Sequence, residues 1–446
     1  MPPPELIAPS IGSGTVVHGW GGTNPAVVCR LSLEDPAGLD LRSLGDRGVI
    51  ARGLGRSYGD AAQIQGGVVL DTSRCKHFEL DPQSGVLRAE AGVTIGELLH
   101  ACVPAGWMVP VVPGTQHVTV GGAIASDVHG KNHAAAGTFG RHVSALGLLS
   151  ATGDMLELTP EDELFQATLG GMGLTGVIVW AQLTLTRVSG PGLLVDTDRA
   201  TDLERALELL REPAGSHRVA WLDLLAPRPG RGIVTRAEHV DVPPPGRLNV
   251  RSRAQVPERW PSGVLRASTV SLFNELRYRR APRRERGRVE SIGAHLFPLD
   301  VIDQWPRLYG RRGFLQYQFA VPSGSEGALM AVVEHLRGAR VPCFLAVLKD
   351  LGPAAAAPLS FPIDGWTLSM DLPGSAPGLH EALDRCDEIV AEAGGRVYLT
   401  KDARMKPEAL RAMYPRLDEW RAVRDSADPG GIWRSDLALR TGLLSS

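Results

Sequence analysis

The chain has no long apolar run, no basic leader, no paired cysteines and no strong charge of either sign. No stretch approaches the ~20 apolar residues that a membrane-spanning helix needs. The opening MPPPELIAPSIGSG has neither a basic start nor an apolar centre, so no signal peptide is expected. Cys29, Cys75, Cys102, Cys343 and Cys386 are scattered, odd in number and never spaced C-x-x-C, which argues against a zinc site or a disulfide framework. A formal net charge of −2 gives no global attraction to nucleic acid or to an anionic surface. These absences predict a soluble, cytoplasmic protein with reduced thiols and no metal.

Glycine, by contrast, is abundant: 52 in 446 residues, well above the usual ~7%. At this length two domains are expected, and the glycines concentrate in three loops of the first. Val49 to Asp60 opens as a short strand and breaks into GLGRSYGD. It is not G-x-G-x-x-G leading into a helix, so the Rossmann fingerprint does not apply, and alone it reads equally well as a surface hairpin. Pro113 to His133, PGTQHVTVGGAIASDVHGKNH, combines a Pro-Gly turn, two threonines, a Gly-Gly step and a His-Gly-Lys-Asn-His cluster. Small and hydroxyl residues at this density let a backbone approach a ligand closely, and free N–H groups can cradle phosphate oxygens. Leu169 to Leu185, LGGMGLTGVIVWAQLTL, is the third such loop, running into a strand. Three loops of this kind suit a long dinucleotide threaded between two small α+β lobes, with His129 and Lys131 placed where it meets substrate.

Between and beyond these loops the elements are conventional. Thr94 to Cys102 reads as a capped helix and Val143 to Thr159 as a hairpin turning at Thr152–Asp154. Thr201 to Glu212 is an amphipathic helix whose T-D-L-E start matches a capping box. Leu276 to Arg288 carries seven arginines against one glutamate; it reads as a solvated loop or, alternatively, as a patch for phosphate or an anionic surface. Three later strands alternate sharply. Gln316 and Gln318 oppose Leu315, Tyr317 and Phe319; Lys349 ends the face of Cys343, Leu345 and Val347; and Thr367, Ser369 and Asp371 oppose Trp366, Leu368, Met370 and Leu372. Strands with one apolar and one polar face belong to an antiparallel sheet, whose polar side is either solvent surface or a sugar-binding wall. Leu379 to Ala393 is a helix stopped by Gly394–Gly395, and the tail from Pro407 to Leu444 is helical.

ARGLGRSYGD, PGTQHVTVGGAIASDVHGKNH and GGMGLTGVIV together resemble the FAD-binding domain of vanillyl-alcohol-oxidase-type flavoproteins. HGKNH, FLQYQF, LSFPIDGW, GGRVYLTKDAR and MYPRLDEW extend the likeness to the decaprenylphosphoryl-β-D-ribose 2-oxidases, flavin subunits of the 2′-epimerase that makes an arabinose donor. The resemblance runs from Gly19-Trp20-Gly21 to the C-terminal SDLALR. It implies an α+β fold: a two-lobed FAD-binding domain over 1–187, a substrate domain built on an antiparallel sheet with flanking helices over 188–395, and a segment, 396–446, returning to the first domain. It further implies that Arg52, Gly53, Leu54, Gly55, Arg56, Ser57, Tyr58 and Gly59 wrap FAD. Gly114, Thr115, Thr119, Gly121, Gly122, Ser126, His129, Gly130 and Asn132 do so from the second loop, with Ile178 and Tyr398 adding contacts.

The chemistry implied is oxidation of a secondary sugar hydroxyl, with hydride passing to flavin N5 and a base taking the hydroxyl proton. His129 and Lys401 are the candidate bases. Gln316, Gln318, Lys349, Thr367, Ser369, Asp371 and Lys401 form the candidate substrate wall. Many members of the wider superfamily attach FAD through a histidine in G-x-G-H-S; here Arg56 occupies that place, and guanidinium is not a nucleophile, so FAD is expected to be noncovalent. Ser369 stands where mycobacterial family members carry the cysteine trapped by nitroaromatic inhibitors. Leu296 aligns with a family tyrosine and Ala346 with a pocket asparagine, and the stretch between Arg30 and Arg47 is short for the family. The expected substrate is a polyprenylphosphoryl ribose, with a separate NAD(P)H-dependent keto-sugar reductase completing the epimerisation; a lipid-linked substrate is compatible with peripheral membrane contact. Alternatives are a paralogue acting on another sugar, alditol, aldonolactone or nucleoside, and a non-catalytic binding protein on a relic flavin fold.

Overall fold

The computed structural model describes residues 14–33, 41–242, 248, 250–261 and 263–445. The N-terminal leader reading and residues 34–40 of the short stretch between Arg30 and Arg47 therefore lie outside the described residues.

Two sheets build the first part of the chain. Thr15–Val17, Ala26–Ser32, Val68–Asp71 and Val49–Arg52 form one, in that spatial order, with the last three strands parallel. Phe78–Leu80, Val86–Glu90, Val177–Thr184, Val143–Leu149 and Met155–Leu158 form an antiparallel second sheet. The expected helix Ile95–Cys102 is present with a full capping box between Thr94 and Glu97. Pro113–His133 is less of a loop than its composition predicts. Val120–Ala125 is a helix started by Thr119, whose Oγ1 accepts from Gly122 N at 3.3 Å. At Gly121 a Cβ would sit 2.9 Å from that of Ala91, so the glycine lets this short helix press onto its neighbour.

The second part is one eight-stranded antiparallel sheet. Its spatial order is Arg284–Ser291, Gly192–Ala200, Arg231–Val240, His217–Asp223, Leu345–Leu351, Gly365–Pro373, Phe314–Pro322 and Arg396–Val397. The three alternating strands pair as neighbours, with Gln318 opposite Ser369, Ser369 opposite Val347 and Val347 opposite Trp221. Helices Leu203–Arg211, Glu326–Gly338 and Leu379–Glu392 cover the other face, where Phe319, Leu348, Leu368 and Met370 join their leucines in one buried cluster. The polar face is thus not solvent surface; it looks toward the first two sheets.

Three expectations change. The cap of Leu203–Arg211 is Asp202, which accepts from Arg205 N at 2.9 Å; the one-residue shift removes the capping box. Leu276 to Arg288 is no loop: it is the end of the helix Ala267–Arg280 followed by the edge strand Arg284–Ser291. Ala346 and Leu296 are both buried in apolar clusters, so neither stands at a pocket position.

After pairing through Arg396–Val397 in the large sheet, the chain crosses back. Tyr58 N donates to Thr400 O at 2.9 Å, Arg434 N to Val49 O at 3.1 Å and Asp436 N to Gln63 O at 2.9 Å. Arg440 fastens this return: its guanidinium reaches Asp60 Oδ1 at 2.7 Å and Asp402 Oδ2 at 2.8 Å, both carboxylates buried.

Candidate active site

Two clefts join where the sheets face one another. The first, about 830 Å³, is lined by Arg52, Gly53, Leu54, Gly55, Arg56 and Ser57, by Thr119, Gly121, Gly122 and Ser126, and by Ile178. The second, about 1000 Å³, is lined by Tyr58, Gly114, Thr115, His129, Gln316, Gln318, Lys349, Ser369, Tyr398 and Lys401. Arg56, Val128 and Thr400 belong to both, so the space is continuous.

The strand Val49–Arg52 ends at the first cleft because Gly53 follows: a Cβ there would lie 2.4 Å from Thr119 Oγ1, and the two loops could not interlock. Among the described residues, no backbone N–H from Gly53 to Ser57 finds an acceptor within the protein. Five consecutive unpaired donors along a cleft are what an anion such as a pyrophosphate satisfies. Arg52 contributes from behind, its guanidinium on Ala62 O at 3.0 Å and His18 O at 2.7 Å. Arg56 stacks 3.7 Å over Trp20, with its buried Nε unpartnered. The residues present fit FAD.

Five expected site residues stand behind these linings. Gly59 backs against Asp402, whose carbonyl a Cβ would meet at 2.0 Å. Asn132 donates to Pro110 O at 2.8 Å, and a Cβ on Gly130 would strike Asn132 Oδ1. Thr367 and Asp371 are buried and position the two glutamines. Lys131, expected at the meeting of cofactor and substrate, is turned to the His295 carbonyl instead.

In the second cleft the hydrogen bonds fix protonation. Thr367 Oγ1 donates to Phe319 O at 2.9 Å and therefore accepts from Gln318 Nε2 at 3.1 Å. The other hydrogen on that Nε2 faces His129 Nε2 at 2.9 Å, making this ring nitrogen an acceptor and placing the ring hydrogen on Nδ1. Lys349 Nζ lies 3.2 Å from Nδ1, where it accepts as a neutral amine. Burial, with the nearby Lys131 and Lys401 charges, lowers Lys349 to about 7, in keeping with that role. Burial and then Lys349 hold His129 well below its usual range, so the ring stays uncharged. Phe361, which lies in LSFPIDGW but is not among the expected site residues, stacks on Tyr398 at 4.5 Å between ring centres and packs at 5.5 Å against His129. Tyr398 is fixed in turn by its hydroxyl on Ser126 O at 2.7 Å.

Lys401 sits apart from this relay. Its Nζ is 3.9 Å from the Tyr58 ring centre, with no hydrogen-bond acceptor among the described residues, and burial lowers it to about 7 against the opposing pull of Asp371. Asp371 Oδ1 accepts from Gln316 Nε2 at 2.6 Å, while Oδ2 is buried and unpartnered. Burial raises this carboxyl to about 7. The cleft therefore holds two near-neutral amines, an uncharged imidazole and two oriented amides. Such a set can hold a polyhydroxylated ring and accept a proton from it.

Comparison with known proteins gives the following. Residues 44–159 match the FAD binding domain family, and residues 369–441 match D-arabinono-1,4-lactone oxidase. The chain is 39% identical to the decaprenylphosphoryl-beta-D-ribose oxidase of Mycolicibacterium smegmatis, over 96% of this chain and 97% of that protein. It is 40% identical to an uncharacterized protein in the mprA 5′ region of Streptomyces coelicolor, over 79% of this chain and all of that one. A D-lactate dehydrogenase of Archaeoglobus fulgidus is 30% identical over 31% of this chain and 33% of its own.

Proposed function

The chain belongs to the decaprenylphosphoryl-β-D-ribose oxidase family of FAD-dependent oxidoreductases, and from that premise we propose that it oxidises the 2′-hydroxyl of a polyprenylphosphoryl-β-D-ribose to a ketone. The observation that carries this reading is the juxtaposition of a donor-lined cleft with a second cleft holding Lys401, His129, Gln318 and Lys349. FAD, when bound, supplies the hydride acceptor. The protein's task is to orient the sugar and take the hydroxyl proton. Lys401 is the base: both ring nitrogens of His129 are engaged, by Gln318 and Lys349, whereas Lys401 Nζ is uncommitted and near neutrality. Gln316, Gln318 and Lys349 hold the sugar hydroxyls, with Ser369 beside them, while Thr367 and Asp371 keep the two amides in place. Gly53 to Ser57 hold the pyrophosphate by backbone N–H groups. Binding is noncovalent, because the position that would carry an attaching histidine is Arg56, stacked on Trp20.

The division proposed is a cofactor domain over 1–187, a substrate domain over 188–395 and a returning segment over 396–446. A keto product calls for a separate NAD(P)H-dependent reductase to complete an epimerisation. No helix among the described residues is long and apolar enough to cross a membrane, so a lipid-linked substrate would be met by peripheral contact with a bilayer.

A second reading has one observation in its favour: the lactone-oxidase match over 369–441 spans part of the sugar-facing wall and Lys401. It makes the substrate a free sugar, alditol, aldonolactone or nucleoside. Anaerobic bleaching of the flavin absorbance decides between the two. Reduction by a prenylphosphoryl ribose is expected; reduction only by unlipidated sugars or lactones would replace the first reading with the second. Acid precipitation tests the attachment, with yellow colour expected in the supernatant.

A further inference from the structure

The helix Ala267–Arg280 is arranged inside out. Its buried positions are Val270 and Asn274, the latter donating to Asp223 Oδ1 at 2.9 Å. Its large apolar side chains point outward, with Leu272 63% exposed, Phe273 59% and Leu276 45%. A surface helix ordinarily does the reverse, and a cluster of exposed apolar side chains on one helix marks a contact surface. Beside the cluster lie the exposed Arg280, Arg283 and Arg284, whose side chains make no ion pair among the described residues. The nearby acids are already engaged: Glu275 by Arg231 and Arg279, and Glu285 by Arg288. Phe and Leu side chains rimmed by unpaired guanidinium groups match the boundary between lipid phosphates and acyl chains.

The helix also lies on the face of the sheet that carries the active site. Arg277 stacks 4.8 Å over Trp221, and Trp221 shares a cross-strand row with Val347, Ser369 and Gln318. A bilayer touching this helix would flank the second cleft, which is where a lipid-linked sugar has to leave its membrane.

We propose that the outer face of Ala267–Arg280, with Arg280, Arg283 and Arg284, is a docking surface for an anionic phospholipid bilayer. The prenyl-phosphate reading supplies a reason for its position, but the docking stands on the helix alone and is tested without substrate.

The FAD-loaded protein is sedimented with vesicles of phosphatidylcholine, with or without phosphatidylglycerol, at low and high salt. Binding to the anionic vesicles, weakened by salt, is expected. Replacing Arg280, Arg283 and Arg284 together by Gln should weaken it roughly 100-fold, at about fivefold per arginine for ~1 kcal/mol each. Leu272→Ser with Phe273→Ser should weaken it by at least about tenfold. Flavin spectrum and melting temperature should hold in both variants, because the replaced side chains are exposed. Should a variant fail to fold, the lipid and salt dependence of the unmodified protein still decides. Absence of binding, equal binding to neutral vesicles, or variants that bind unchanged would overturn the proposal. So would a dimer seen by light scattering and abolished by Phe273→Ser, which would assign the face to a second copy of the chain. Vesicle binding without flavin reduction by prenylphosphoryl ribose would sink the substrate assignment and leave the docking surface intact.

Discussion

Replacing Lys349 by Met should stabilise the protein, and by an amount that depends on pH. Lys349 is half-buried, its Nζ 3.2 Å from an uncharged imidazole, with one further acceptor, Gly130 O, at 3.5 Å. Burial first, then Lys131 and Lys401, lower it from 10.5 to about 7, and Asp350 opposes this only in part because Arg218 already pairs with it. A lysine whose folded value lies below its unfolded one makes the unfolded chain the tighter proton binder. The penalty is complete below about pH 7 and fades as pH rises toward 10.5. At about 1.36 kcal/mol per pKa unit the full gap approaches 5 kcal/mol. Relaxation of the surroundings makes 2–5 kcal/mol the realistic range, on the order of what buried charges cost in practice. Methionine carries no proton and nearly the same length, so the variant should gain most near pH 6 and progressively less by about pH 9.5. Urea unfolding of both holoproteins across that range gives the difference directly, and a stability difference that stays flat with pH would refute the argument. A flat result would mean that Lys349 remains an ordinary ammonium and that the tautomer assigned to His129 is wrong.

Three other outcomes are expected. Gly59→Ala would place a Cβ 2.0 Å from Asp402 O and 2.9 Å from Ala403 Cα; purified protein should have low flavin content and a lowered melting temperature. Arg440→Met would strand the buried Asp60 and Asp402 carboxylates, costing about 3–5 kcal/mol in urea unfolding; a loss under about 1 kcal/mol would show that solvent reaches them. Ser369 lines the second cleft, and a hydroxyl is a far weaker nucleophile than a thiolate. Intact-mass spectrometry after turnover with a nitroaromatic inhibitor of the family should find no stable adduct on this protein and one on Ser369→Cys.

Much of this molecule was legible in its residues because the relevant signals are local. The alternation across Phe314–Pro322 and Gly365–Pro373 separates a greasy face from a polar one by the two-residue repeat of a strand. The glycine-rich loops announced close backbone approach through composition alone. Local rules failed where a neighbour decided the outcome. Thr201 looked like a cap until Asp202 took the position. The arginines of 276–288 looked like a solvated loop, but Arg277 finds Trp221 and the following residues pair with Gly192–Ala200 to make a strand. Gly59, Gly130, Asn132, Thr367 and Asp371 carry the right chemistry yet sit one layer behind the clefts. Phe361 stands in LSFPIDGW, yet its place at the site gave no local signal, since its partners Tyr398 and His129 are remote in the chain.

The amino-acid sequence by itself determined the materials: a loop backbone rich in glycine, an arginine where a covalent attachment would need histidine, and amines and amides placed on alternating positions. Tertiary structure decided what those groups are at neutral pH. Lys349 and Lys401 are ordinary lysines in the sequence; they are lowered to about 7 because strands and segments far apart in the chain pack around them and reduce their contact with water. Desolvation is a property of what surrounds a group, and no sequence position carries it alone.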